Sequence, residues 1–213
     1  MTPAEVILEA RKLLQDTQTP YRYSDTDLLG YVNQALKRMV VFRPTLFSTT
    51  TTIPLTANSV IQQLPVDAHR LVQIFYITNY NSVNEVQREV LERGYPQWVS
   101  DPAGIPLNFI RHPRNATQFF LYPRPIANLT AVVEYIAEPA TYALNDTILH
   151  LKDTYLGVVV DGVVWLGSSI DDEHVNSNRA KLFLDSFTQA LGVDLQQQAI
   201  VDNERPPRGS APQ

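Results

Sequence analysis

Hydrophobic spacing changes twice along this chain, and that double change restricts the fold more than any single motif. Near the N-terminus apolar residues recur at helical spacing: Val6, Ala10, Leu13 and Leu14 in one segment, then Leu28, Val32, Ala35, Leu36 and Met39 in the next. From Phe47 the texture turns to short runs rich in Thr, Ile, Val and aromatic residues, as strands require, and after Asp146 helical spacing returns. Helices, strands and helices in that order predict an α+β chain. The N- and C-terminal helix pairs, residues 1–44 and 146–200, are expected to form one four-helix bundle; residues 45–145 an inserted β-rich domain; and residues 201–213 an extended C-terminal tail.

Local signals sharpen the first two helices. Thr2-Pro3-Ala4-Glu5 has the form of a capping box with proline at the first helical position, and the helix should end near Gln15. Ser24 is placed to cap the second helix, with Asp25 and Asp27 suited to its positive end. Arg43-Pro44 ends it, because the residue before a proline avoids helical angles. The short connection predicts antiparallel packing of the pair. Strands are predicted over 48–55, 60–64, 71–78, 118–122 and 129–136, with one or two helical turns over 86–93. Most of the fifteen prolines lie between Pro44 and Pro139, flanking these runs, where turns and strand ends tolerate them.

Towards the C-terminus the run GVVVDGVVWLG is ambiguous: its valines suit a buried strand, and Gly157, Gly162 and Gly167 disfavour a helix. The run is read as a buried helix over 154–169, capped by Asp153, whose glycines admit close neighbours. A last helix should begin at the acidic Asp171-Asp172-Glu173 and present Ala180, Phe183, Phe187 and Leu191 on one face. The segment from Asp202 onward has no core-forming residue and reads as a tail.

Composition excludes several chemistries. The chain has no cysteine, so thiolate catalysis, disulfides and cysteine-ligated zinc do not arise. A net charge of -5 is unlike the basic face of a duplex-DNA reader. The N-terminus carries no basic region followed by an apolar core, so no signal peptide is expected, and no apolar run is long enough to span a bilayer. None of the four histidines has the i, i+4 partner of a helical zinc motif, and neither a nucleophile elbow nor a glycine-rich phosphate loop is present. Asp171 with His174 is the densest pair of potential metal ligands, more simply read as carboxylates complementing a helix N-terminus. The expectation is a protein without catalytic residues, metal or cofactor.

A set of segments in fixed order carries a resemblance. Arg22-Tyr23-Ser24-Asp25 leads into LLGYVNQALKRM and Arg43-Pro44; Arg88-Glu89-Val90-Leu91 is followed by Pro96 and Trp98. Phe119-Phe120-Leu121-Tyr122-Pro123-Arg124-Pro125 comes next, then Val133-Glu134-Tyr135 with Pro139, then Asn178-Arg179-Ala180-Lys181 and Phe187 near Leu191-Gly192. This order resembles the head-to-tail adaptor (connector) proteins of short-tailed bacteriophages, of the tail tubular protein A type. Trp98, Leu121, Tyr122, Pro123 and Pro125 are the family-like structural motif.

The resemblance implies a structural virion protein at the head–tail junction, assembled in the host cytoplasm. It implies a homo-oligomeric ring of about twelve copies below the phage portal protein. Its other face would meet the tail nozzle protein, and genomic DNA would pass through the channel without sequence-specific binding or any membrane. Within that picture Arg205, Pro206, Pro207 and Arg208 are portal-contact candidates, because the tail needs a partner to offset its ordering entropy. A second reading is a nucleic-acid-binding module, with Trp98 and Tyr122 as stacking platforms and Arg88, Arg93, Arg111, Arg114 and Arg124 as cations. The plainer alternative buries those aromatics in the β-rich core and pairs the arginines across subunit contacts.

Overall fold

The computed structural model describes residues 1–169 and 177–204. The chain is α+β, with five α-helices and two sheets among the described residues. It forms two compact units: Met1–Leu46 with Pro139–Gln213, and Phe47–Glu138.

The first unit is helical. α1 (Pro3–Leu14) begins with the expected capping box: the Thr2 hydroxyl accepts from Glu5 N–H, and the Glu5 carboxylate accepts from Thr2 N–H. α2 (Asp25–Phe42) is capped by Ser24, and all five predicted stripe residues, Leu28 to Met39, are fully buried. Leu13 departs from its predicted place: it is exposed, and Ile7 and Arg11 take the buried positions beside Val6 and Ala10. At 100° per residue Leu13 and Arg11 lie at opposite margins of the stripe; Arg11 is drawn in by Asp16, whereas Leu13 sits in the last turn of α1 beyond the covered part of its margin.

The returning chain is pinned to these helices by backbone groups. Ala4 N–H donates to Leu144 O at 3.0 Å, and the Asn33 side chain both accepts from Tyr142 N–H and donates to Tyr142 O. α4 (Leu156–Ser168) is a helix, as expected, and packs against α1, α2 and α5 (Ser177–Glu204). Asp153 does not cap it. A 3-10 turn over Asp153–Tyr155 intervenes, which sets the carboxylate too far back to reach the first free amides of α4, and it accepts instead from the Met1 amine. Gly162 is the glycine that a close approach requires: a Cβ there would lie 3.0 Å from Ala35 of α2 and 3.0 Å from the Phe187 ring of α5. Gly157 has no neighbour within 4 Å, so the predicted close packing does not extend to it. α5 is described as far as Glu204, so helix occupies Asp202–Glu204, where a tail was expected. The acidic run Asp171–Glu173 lies outside the described residues.

The second unit is layered. β1 (Ser48–Pro54), β7 (Thr130–Ala137) and β3 (Ala68–Ile77) form an antiparallel sheet with β7 central. β2 (Ile61–Gln63), β6 (Gln118–Tyr122), β5 (Asn108–Arg111) and β4 (Asn84–Glu85) form the other, in that order, with β4 and β5 parallel. The sheets enclose one core that draws Ile53, Leu71, Ile74 and Val133 from the first and Phe109, Phe119 and Leu121 from the second. The second sheet's opposite face is covered by α3 (Arg88–Gly94) and Trp98. β3 has three register shifts against β7, so its buried residues Ala68, Leu71, Ile74 and Ile77 recur every three residues rather than every two.

Candidate functional site

The stretch Phe119 to Pro125 serves two layers at once. Successive strand residues point to opposite faces, so Phe119 and Leu121 fill the inter-sheet core while Phe120 and Tyr122 pack under α3 with Leu91, Trp98 and Ile110. Trp98 is 5% exposed and sits edge-on to Phe120, ring centroids 5.8 Å apart. Tyr122 lies against Tyr95 at 5.5 Å and donates its hydroxyl to Asp101 Oδ2 at 2.9 Å. Burial first, and then the bond to Asp101, raise the Tyr122 phenol above its ordinary pKa. The Tyr122–Pro123 peptide is cis. Past it, Gly104 donates to Arg124 O and accepts from Ile126 N–H, and Asn58 N–H donates to Pro125 O. The motif is therefore a scaffold: each residue has a packing or backbone partner that follows from its place in the strand.

Arg111 joins the two sheets of this unit. From β5 its guanidinium donates to both carboxylate oxygens of Glu85, at 2.6 Å and 3.2 Å, and to the Leu71 and Val72 carbonyls of β3. Beside it opens a cleft of about 260 Å³ lined by Arg70, Arg111, His112, Asn115 and Gln118. A second cleft, about 420 Å³, is lined by Glu85, Arg88, Glu89, Glu92 and Arg111; Arg88 pairs with Glu92 and Arg111 with Glu85, which leaves Glu89 as a surplus negative charge.

The helical unit has its own arginine hub. Arg11, 6% exposed, donates to Asp16 Oδ2 at 2.6 Å, to Tyr23 O at 3.0 Å and to Asp25 Oδ1 at 2.7 Å, with its guanidinium 3.9 Å from the Tyr21 ring centroid. Asp16 also accepts from the Arg22 and Tyr23 amides, and the Tyr23 hydroxyl donates to Gly167 O at 3.0 Å. The Arg22-Tyr23-Ser24-Asp25 stretch thereby fixes the turn between α1 and α2 and ties it to the end of α4.

Residues 1–210 match the family model described as SU10 adaptor protein. The chain belongs to the SU10 adaptor protein family. That makes it a phage adaptor, a structural protein, in line with the resemblance carried by its ordered motifs. No curated protein matches it.

The adaptor's structure separates the residues singled out in its sequence. Trp98, Leu121, Tyr122, Pro123 and Pro125 come together around β6. Arg88 and Arg111 are committed to Glu92 and Glu85, Arg93 and Arg114 are exposed, and Arg124 is half-buried. The arginines thus do not converge on an open aromatic face, since a Trp98 ring at 5% exposure offers a base no surface to stack on. Among the described residues no group of three or more His, Asp or Glu is arranged to hold a metal, and no helix is long and apolar enough to cross a membrane. Asp171, His174 and Arg205 to Arg208 lie outside the described residues. Sequence reasoning missed the role of Arg11. The signal for Arg11 was present, an arginine followed by Asp16 and Asp25 across a short turn, but only the turn's geometry brings both carboxylates to it.

Proposed function

We propose that this adaptor assembles as a ring of about twelve copies between the portal of the phage head and the tail nozzle, with DNA passing through its centre. The observation that carries the reading is the extent of the family match: residues 1–210 span both compact units and the returning helices, so the whole chain supports the role. The residues of the family-like motif are occupied in holding the β unit together, which leaves outward-facing side chains for contacts between copies. A net charge of -5 suits a channel wall that repels phosphate and does not trap the moving duplex.

Within this reading α1, α2, α4 and α5 act as a four-helix bundle, and residues 205–213 serve as a tail in which Arg205 and Arg208 bond acidic groups of the portal while Pro206 and Pro207 limit the entropy lost on docking. The test is electron microscopy of the purified chain mixed with portal rings. A ring of added density on one portal face supports the proposal, and a chain that stays monomeric and leaves portal rings bare sinks it. Removing residues 205–213 should leave the thermal midpoint unchanged and weaken portal attachment. Retained attachment would remove the tail from the contact. The nucleic-acid-binding alternative is disfavoured by the burial of Trp98; it requires affinity for single strands that collapses as salt rises.

A further inference from the structure

We propose that the cleft beside β3 and β5 is a carboxylate-binding site that receives an acidic side chain from a protein partner. Each polar side chain of its lining carries a hydrogen-bond donor, and the apolar Leu71 and Ala116 complete the wall. Among the described residues Arg70 has no ion-pair or hydrogen-bond partner for its exposed guanidinium, and the side-chain amide of Gln118 is likewise uncommitted. Asn115 uses its carbonyl oxygen to accept from the Thr117 amide and hydroxyl, which leaves its NH2 group as a free donor.

His112 is oriented by its backbone. Its Nδ1 accepts from Arg114 N–H at 3.2 Å and Asn115 N–H at 3.0 Å, so the ring proton of the neutral imidazole sits on Nε2. Stacking on Phe120, with centroids 5.2 Å apart, holds the ring in place. Arg111 adds positive potential at one wall, but its guanidinium is already bound to Glu85 and two carbonyls, so it positions the cleft and leaves capture to Arg70. No aspartate or glutamate lines the cleft. Four donors and no competing acid make a site for a small oxyanion.

The charge balance selects a carboxylate on a protein over a phosphate on a nucleic acid. Only one uncommitted full positive charge lines the cleft, and the remaining donors are neutral. A nucleic-acid backbone is held by a track of cations, whereas a single guanidinium fork with neutral donors matches one carboxylate in bidentate geometry. An assembly of an acidic chain, with 22 acidic against 17 basic residues, also supplies such carboxylates in abundance. The inference concerns the isolated subunit and does not require that a ring forms.

The test is a heteronuclear NMR titration of the full chain with a blocked tetraglutamate peptide, compared with inorganic phosphate and a short DNA duplex. The expected result is saturable shifts at the Arg70 Nε–H, the His112 ring and the Asn115 and Gln118 side-chain amides. Arg70→Glu should weaken peptide binding by about tenfold or more. Gln118→Glu, which places an acid in the cleft, should do the same. Arg93→Glu, with the same charge change on α3 outside the cleft, should leave binding unaltered. Circular dichroism of each variant checks that the fold persists. The proposal is overturned if the peptide gives no saturable shifts, if Arg93→Glu weakens binding as much as Arg70→Glu, if phosphate alone binds as tightly as the peptide, or if the duplex binds more tightly than the peptide. Portal binding is not read in this experiment, so its outcome is independent of the ring.

Discussion

The helical unit and the β unit each anchor an arginine among carboxylates and carbonyls, but under opposite conditions of solvent. Arg11 and Asp16 retain 7% and 5% of their side-chain exposure, and the partners of Arg11 lie within 14 residues of it in sequence. Arg111 and Glu85 retain 45% and 49%, and Arg111 reaches 40 residues back to Leu71 O. The near pair is sealed and the far pair is wet. The difference teaches where each unit stores its stability. The helical unit depends on a polar turn that has no water to fall back on, whereas the β unit depends on apolar layers on both faces of one sheet.

Substitution at the two hubs gives the largest expected contrast. Asp16→Ala removes the buried carboxylate from Arg11, leaving its guanidinium only Tyr23 O and the exposed Asp25, strands two backbone amides, and should cost about 3–5 kcal/mol in urea unfolding. Glu85→Ala should cost no more than about 1 kcal/mol, because water replaces the exposed carboxylate. Equal losses at the two sites would break the comparison. In the β unit the comparable lesion is apolar: Trp98→Ala should cost about 3–5 kcal/mol and deprotect the amides of β5 and β6 in hydrogen exchange before those of α1 and α2.

Smaller effects sharpen the picture within the helical unit. Gly162→Leu forces a side chain against Ala35 and Phe187 and should destabilise by about 1–3 kcal/mol, whereas Gly157→Ala meets nothing within 4 Å and should stabilise by about 0.5–1 kcal/mol. Loss of the Thr2 cap in Thr2→Ala should cost about 1 kcal/mol, seen as a lower thermal midpoint.

The smallest effect is alkaline. Burial, with help from Asp101 and Asp67, raises the Tyr122 and Tyr135 phenols above their ordinary value of 10.0. An acid whose folded pKa is raised stabilises the fold fully below its unfolded value, and that contribution is lost as pH rises through the folded value. The thermal midpoint should therefore decline above about pH 10, and the paired change Tyr122→Phe with Tyr135→Phe should flatten the decline.

Legibility followed the length and regularity of each element. α1 and α2 were readable to their caps because Thr2 with Glu5, and Ser24 with Asp27, each act across three residues of sequence. β6 was readable end to end, since its dense apolar run reflects burial on both faces. β4 and β5 were not, because two and four residues are too few to show a period. β3 was found but not its inward face, since three bulges convert an alternation of two into one of three. Of the candidate site, the strand that carries the motif was legible, while the Arg70–His112–Gln118 cleft was not, because its members come from separate strands and a turn.

What the sequence determined by itself was local: where α1 and α2 start and stop, where β6 runs, and which chemistries lack their residues. Those outcomes depend on caps, prolines and apolar spacing that act over a few bonds. What only the tertiary structure decided was which polar groups meet. Arg11 became a sealed hub rather than a surface cation, Gly162 rather than Gly157 became the point of close approach, and Trp98 turned inward rather than offering a face to a ligand. In each case the residue type is compatible with both outcomes. The choice is made by which element packs over it and whether water can still reach it.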